Sequence, residues 1–287
     1  RDLVRSRGLG DVYKRQDLQR ADFNRSWTGI SYGSGYEGQG CVNDEMTNYY
    51  VEFMKKHIFA YLNPPITSKV LPMYWYLGYN VYSKGVLEVG GVILASWIVP
   101  IHENYDGLDY WCTCMFGEDN PSDPYLIPTD RALLDRRRKM ILAPVLEKAV
   151  KAGNIIIPEE FEVGFDHVTN LIAGLGMEDD PNYYLTRGYP GSVNTYVFNS
   201  TSEPANNSYP PTNEETFIGY MHLSMYYNQA RLAEVYPADK YPFLTEKFAF
   251  VQKYLKDKYQ IDLEAIANGP EDWDLPLPPI PETPDEE

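Results

Sequence analysis

The sequence predicts an α+β fold, a small antiparallel sheet packed with several helices, with the C-terminal half mostly helical. Three observations carry this. Apolar residues recur at spacings of three and four over several segments, which is the period of a half-buried helix. Between Val70 and Val99 the chain is instead β-branched and aromatic, punctuated by Gly78 and Gly90-Gly91 in the manner of short antiparallel strands. No run of eighteen apolar residues interrupts the pattern; the run Gly91 to Val99 is too short to span a membrane and reads as a buried strand.

The first helix is predicted from Asp44 to about Leu62, with Met46, Tyr50, Phe53, His57 and Tyr61 on one face, a cap at Asn43 or Asp44, and a stop at Asn63-Pro64-Pro65. Strands follow at Val70–Leu77, Asn80–Tyr82, Val86–Val89 and Val92–Val99, then a loop-like stretch from His102 to Pro128 rich in Asp, Gly and Pro. A second helix runs from a Thr129 or Asp130 cap through Leu133, Met140, Ile141 and Val145 to Gly153-Asn154. Pro144 inside it removes a backbone hydrogen bond and is expected to kink or break it. Ile155–Phe161 reads as extended and Val168–Leu175 as a short helix. The irregular segment Gly176–Asn213 has the length of a functional loop or a flexible insertion. Thr212 or Asn213 caps a third helix to about Val235, and a last helix covers about Ala238 to Lys258.

Asp11-Val12-Tyr13-Lys14-Arg15-Gln16 resembles the translation of a transposon mosaic end used in sequencing libraries, so residues 1–16 are expected to be an adapter artefact and no part of the natural fold. A single α+β domain is expected over 17–267, followed by a disordered, acidic, proline-rich tail over 268–287. On this reading any signal peptide or lipid-attachment Cys would lie upstream of Asp17. The net charge of −16 becomes −19 without the first sixteen residues, which carry five basic and two acidic side chains. So acidic a body repels phosphate backbones and anionic head groups, which argues against nucleic-acid or membrane-surface binding through charge.

The motifs are sparse. Gly33-Ser34-Gly35-Tyr36-Glu37-Gly38 matches GxGxxG, but no buried strand precedes it and polar residues follow it, so it reads as a mobile glycine-rich loop rather than a dinucleotide site. The three cysteines, Cys41, Cys112 and Cys114, make neither a disulfide framework nor a zinc quartet and read as inert thiols. The four histidines, His57, His102, His167 and His222, lie far apart in sequence. His102, His167 and His222, with nearby carboxylates, are the weak candidates for a metal site. Tyrosine is abundant, with 25 in the chain, and suits half-buried surfaces that can also stack on sugars or partners.

A pattern does emerge in the second half. Arg138-Lys139-Met140-Ile141 enters a helix; Ile156-Ile157-Pro158-Glu159-Glu160-Phe161, Arg187-Gly188-Tyr189 and Glu215-Thr216-Phe217-Ile218-Gly219-Tyr220-Met221 follow. The run Lys247 to Asp257 and Tyr259-Gln260-Ile261-Asp262-Leu263 close it. In order and spacing, over about Ala132 to Ala267, this resembles the zinc-binding metallopeptidase (substrate import-associated zinc metallohydrolase) lipoproteins that Bacteroidota encode beside outer-membrane nutrient-import systems. The resemblance implies a metallopeptidase-like fold, export to the cell surface or periplasm on a lipid anchor, and outer-membrane import components as partners. It also implies a helix bearing HExxH, in which two histidines hold zinc and a glutamate activates water.

In that register this chain reads Leu146-Glu147-Lys148-Ala149-Val150. Only Glu147 remains, as the vestigial position of the catalytic glutamate, and without two imidazoles the means of holding zinc and acidifying water is lost. The expectation is therefore a non-catalytic binding or accessory protein with no required cofactor and a peptide or glycan ligand. The alternatives are a metal-dependent hydrolase with zinc at a relocated site drawing on His102, His167 and His222, and a glycan-binding module.

Overall fold

A computed structural model describes residues 35–41, 43–100, 103–104, 110–114 and 130–275. The fold is α+β. The chain divides into two compact units, one comprising Arg1–His57, Pro72–Arg137 and Asp272–Glu287, the other Ile58–Leu71 and Arg138–Glu271.

The first unit is built on a sheet whose centre is one long strand. β1 (Gly35–Gly40) is followed by α1 (Asp44–Phe53), β2 (Tyr74–Val89), β3 (Val92–Pro100), β4 (Glu103–Asn104) and β5 (Tyr110–Cys114). The three short runs read from sequence merge into β2. From Gly35 onward the supposed glycine-rich loop is a strand, paired antiparallel along Gly78–Lys84 of β2; Gly33 and Ser34 lie outside the described residues. β3 pairs with the Tyr82–Val89 half of β2, turning through Gly90 and Gly91 at φ 61° and 80°, values that favour glycine in a tight hairpin. The sheet is not wholly antiparallel as expected. β3 leaves the Tyr74–Gly78 half of the β2 edge open, and β5, running antiparallel to β4, fills it in parallel.

α1 begins where the Asn43 side chain accepts the Met46 N–H at 2.7 Å, which satisfies one of the N–H groups a helix start leaves unpaired. It buries Met46, Tyr49, Tyr50 and Phe53. The helical path continues to Tyr61, as the periodicity predicts, but through a π turn at Met54–Ile58 and a 3-10 turn at Phe59–Tyr61. Inside the unit the Tyr50 hydroxyl donates to the Thr113 carbonyl at 2.8 Å, and Thr113 Oγ1 accepts from the Trp75 indole N–H at 3.0 Å. Trp273 belongs to this unit. It is buried, 4.6 Å from the His57 ring between centroids, and its carbonyl accepts from His57 Nε2 at 2.6 Å.

The second unit is mainly helical. α2 (Pro64–Thr67) precedes α3 (Arg131–Lys151), within which the division between units falls; then come α4 (Glu159–Glu162), β6 (Ser192–Val193), β7 (Thr201–Ser202), α5 (Asn213–Tyr226), α6 (Gln229–Val235), α7 (Pro242–Tyr259) and α8 (Leu263–Asn268). Asp130 Oδ1 caps α3, accepting from Ala132 at 2.7 Å and Leu133 at 3.2 Å. Pro144 does not break the helix. Leu142, Ala143, Val145 and Leu146 around it are almost wholly buried, and burial of that size offsets the ~3 kcal/mol an interior proline costs. Buried Arg138 donates from Nη2 to the Ile266 carbonyl at 2.5 Å and lies 4.9 Å from the Tyr61 ring centroid.

Three further expectations are corrected. Val168–Leu175 is not helical: Asp166 Oδ1 accepts from the Val168 and Thr169 N–H groups, and Leu171 and Ile172 then bridge to Ser208 and Tyr183. The third helix is two. Asn228 interrupts it by accepting the Arg231 N–H at 2.8 Å, a side-chain cap that starts α6 afresh. Ahead of it, Thr212 and Glu215 form a reciprocal capping box at the start of α5. Finally, the last helix starts at Pro242, whose missing N–H costs nothing in a first turn.

Lys247 of α7 ties this unit together. Its side chain is 4% exposed, and its ammonium donates to the carbonyls of Phe161 and Val163, each at 2.8 Å, and of Glu160 at 3.3 Å. Those carbonyls belong to α4 and the residue after it, where a one-turn helix has no partners of its own to offer. The rings of Phe161, Phe165, Phe243 and Phe250 surround the ammonium at 5.2–5.9 Å, with their faces as a further cation contact. We expect Lys247→Met, similar in length but without donors, to destabilise the protein by about 2–4 kcal/mol in urea denaturation, because three buried carbonyls lose their partner. A change within error would mean that water replaces the ammonium.

Candidate functional site

The helix that the resemblance would endow with HExxH is α3. Its Leu146 and Val150 are 0% and 5% exposed, so the two side chains one turn apart on that face pack into apolar surroundings. Glu147 is turned away from them. Its Oε1 accepts from Lys151 Nζ at 2.6 Å, and its Oε2 lies 3.7 Å from His222 Nε2 on α5. The tertiary structure thus brings together two residues that the sequence named separately. Among the described residues, His222 Nε2 is buried without a hydrogen-bond partner.

The electrostatics of this cluster follow from burial. Desolvation pushes the His222 imidazole down from 6.5 to about 4, opposed by the Glu147 carboxylate and reinforced by Lys151. The ring is neutral at ordinary pH. Lys151 is raised, chiefly by its hydrogen bond to Glu147, and also feels Glu214 and Glu215. A neutral imidazole beside a carboxylate can relay a proton or supply two metal ligands, whereas a closed zinc site needs four and a catalytic one three plus water. Among the described residues no group of three or more His, Cys, Asp or Glu side chains could hold a metal ion.

The other candidates sit elsewhere. His167 Nδ1 lies 2.7 Å from the Pro211 carbonyl, and since a carbonyl only accepts, Nδ1 is the donor; Nε2 is buried and has no hydrogen-bond partner among the described residues. His167 therefore braces a loop. His102 lies outside the described residues. Cys112 and Cys114 are buried on β5, where burial raises the Cys112 thiol far above its usual range, and Cys41 is half-buried with Sγ 4.0 Å from the Leu77 carbonyl.

The feature that sequence reading left as an irregular segment is a cleft of about 450 Å³ in the second unit. One wall is the first two turns of α5, presenting Glu215, Thr216 and Gly219. Tyr189–Ser192 line it as well, with Pro190 close to Gly219 of α5, and Leu171, Pro204 and Tyr209–Pro211 complete the described lining. Each wall has a local cause. Gly191 must be glycine, because a Cβ there would lie 2.4 Å from the Ser202 carbonyl where β6 meets β7. Gly188 sits at φ +76°, with its carbonyl accepting from the buried Tyr220 hydroxyl at 2.5 Å. The Tyr189 hydroxyl donates to the Asp166 carbonyl at 2.7 Å.

Arg187 fastens the same loop by donating to the Asp166 and Thr169 carbonyls and pairing with the Asp166 carboxylate at 3.2 Å. The Thr169 and Val168 donors, aided by Arg187, hold that carboxyl down at about 2. Tyr209 stands out from the arm, 83% exposed, directly ahead of Pro210 and Pro211. The only available sequence signal for this cleft was the spacing of Tyr-Pro pairs at Tyr189-Pro190 and Tyr209-Pro210 inside a long loop.

No family model matches the chain, and no curated protein matches it. Among solved structures, a candidate zinc-binding metallo-peptidase from Bacteroides caccae ATCC 43185 superposes with a TM-score of 0.39 and 14% sequence identity, over 78% of this chain and 74% of that one.

The His222 environment makes a prediction with a definite sign. The unfolded imidazole takes up its proton near 6.5 and the folded one near 4. Stability is therefore full above pH 6.5 and falls as the pH drops through that window. His222→Gln should flatten this acid-side loss by on the order of 2–3 kcal/mol, read from urea melts at successive pH values. An unchanged slope would mean that the ring is hydrated in the native state.

Proposed function

We propose that this chain is a non-catalytic binding protein with a degenerate metallopeptidase-like site, exported on a lipid anchor and serving as an accessory component of a nutrient-import system. The observation that carries the non-catalytic part is the surroundings of Glu147. The positions at which HExxH would place zinc ligands hold buried Leu146 and Val150, and the carboxylate instead contacts Lys151 and faces one neutral His222. The cell-surface part rests on the sequence resemblance over Ala132 to Ala267, with outer-membrane import components as the partners it implies. Among the described residues, the cleft beside α5 offers a surface for a ligand.

A second reading is favoured by one specific observation. Buried His222 Nε2 and, 3.7 Å from it, Glu147 Oε2 are two groups of the kind that ligate zinc, and a relocated zinc could recruit them for hydrolysis.

Elemental analysis of protein purified without chelator separates the two, together with an assay for cleavage of a quenched fluorescent peptide library. We expect zinc far below one atom per chain and no cleavage. Zinc near one atom per chain, lost together with cleavage in His222→Ala or His167→Ala, would overturn the non-catalytic reading.

A further inference from the structure

The cleft beside α5 has walls rich in acceptors and poor in donors. Four of its twelve lining residues are prolines, which offer carbonyls and no N–H. The N–H groups of Leu171, Tyr189 and Thr216 are already spent on the carbonyls of Ser208, Tyr184 and Thr212, and that of Glu215 on Thr212 Oγ1. The Tyr189 hydroxyl is spent on Asp166. With those donors spent, the walls are poorly suited to an anion, which needs converging N–H groups or cationic side chains. None of the described lining residues is Lys, Arg or His.

The single charged group on the walls is Glu215. Its Oε2 accepts from the Thr212 N–H and hydroxyl, each at 2.8 Å, which holds the carboxyl below its usual range and keeps it ionised. Lys151 is the nearby cation that acts on Glu215, and it is itself bound to Glu147 at 2.6 Å. Tyr209, exposed and set on Pro210-Pro211, offers an aromatic face on a stiff arm, and the chain's net charge of −16 favours approach of a cation.

We infer that the cleft binds an organic cation on an aliphatic stem, the side chain of a lysine or arginine in a peptide, with the charge against Glu215 and the stem along Tyr209 and the prolines. A cleft of about 450 Å³ has room for a residue with its flanking backbone. This assignment names the ligand class of the binding protein proposed above and rests on that reading. A saccharide would also need donors from the protein for its ring and hydroxyl oxygens, and few are left on these walls.

The test is an NMR titration of the full chain in chelator-treated buffer. The probes are acetyl-lysine methylamide, acetyl-arginine methylamide, the uncharged acetyl-norleucine methylamide, cadaverine and a maltooligosaccharide. Saturable binding of the lysine or arginine amide is expected, weakened about tenfold or more in Glu215→Gln and in Tyr209→Ala, and weakened by salt. Glutamine preserves the capping box, and Tyr209 is exposed, so both variants should fold. The inference is overturned if the norleucine amide binds as well as the charged ones, if both variants bind the charged amides unchanged, or if neither charged amide binds. Binding of cadaverine or the saccharide in place of the amides overturns it too. Zinc and peptide cleavage are measured on separate samples, so a metal-loaded hydrolase would sink the non-catalytic reading without touching this titration. Zinc-free protein that ignores both charged amides would sink only the ligand assignment.

Discussion

The second unit depends on one buried ammonium. Lys247 has three N–H donors and three carbonyls waiting for them at 160, 161 and 163, so the charge is taken out of water with every proton engaged. Burial pushes Lys247 below its usual range, opposed by the Glu246 carboxylate, while the three carbonyls and the four surrounding phenylalanine faces contact the ammonium directly. The consequence extends outward. The turn that Lys247 holds positions Phe165, whose ring lies 5.3 Å from that of Tyr189 and 5.7 Å from that of His167. Those two residues form and brace the cleft, Tyr189 as wall and His167 through the Pro211 carbonyl. A helix-to-turn contact thus sets the geometry of a surface several residues removed from it.

The polar cluster around Glu147 illustrates a different constraint. In a helix buried on most of its surface, a carboxylate survives only where it finds a cation or reaches water, and Glu147 does both through Lys151 and partial exposure. His222 packs beside it in its neutral state because burial outweighs the attraction of the carboxylate. Two groups that could act on a proton or a metal are thereby held close together, and among the described residues no third ligating side chain joins them.

Much of the fold was legible in the sequence where the physics is local. The caps at Asn43, Asp130 and Thr212 stand where side-chain oxygens precede an apolar period, and Gly90-Gly91 turns the hairpin that its dipeptide announces. The misreadings occur where a distant partner decides. Pro144 is expected to kink or break α3, yet with the apolar residues packed around it the helix runs on unbroken. Val168–Leu175 lost its helix to bridges with Ser208 and Tyr183, residues that no local window contains. β5 pairs in parallel with the Tyr74–Gly78 stretch of β2 that β3 leaves uncovered, a fact about three strands at once.

The candidate site divides in the same way. Sequence by itself determined that Leu146 and Val150 flank Glu147 one turn apart, that the histidines are few and dispersed, and that the chain is strongly acidic, because these are matters of composition and spacing. Only the tertiary structure decided that His222 is the residue facing Glu147, that His167 serves a loop carbonyl, and that Glu215, Tyr209 and the prolines share one cleft. The physical reason is that helix periods and caps arise from neighbours within one turn. A cleft arises from where chain segments dozens of residues apart find their hydrogen-bond partners.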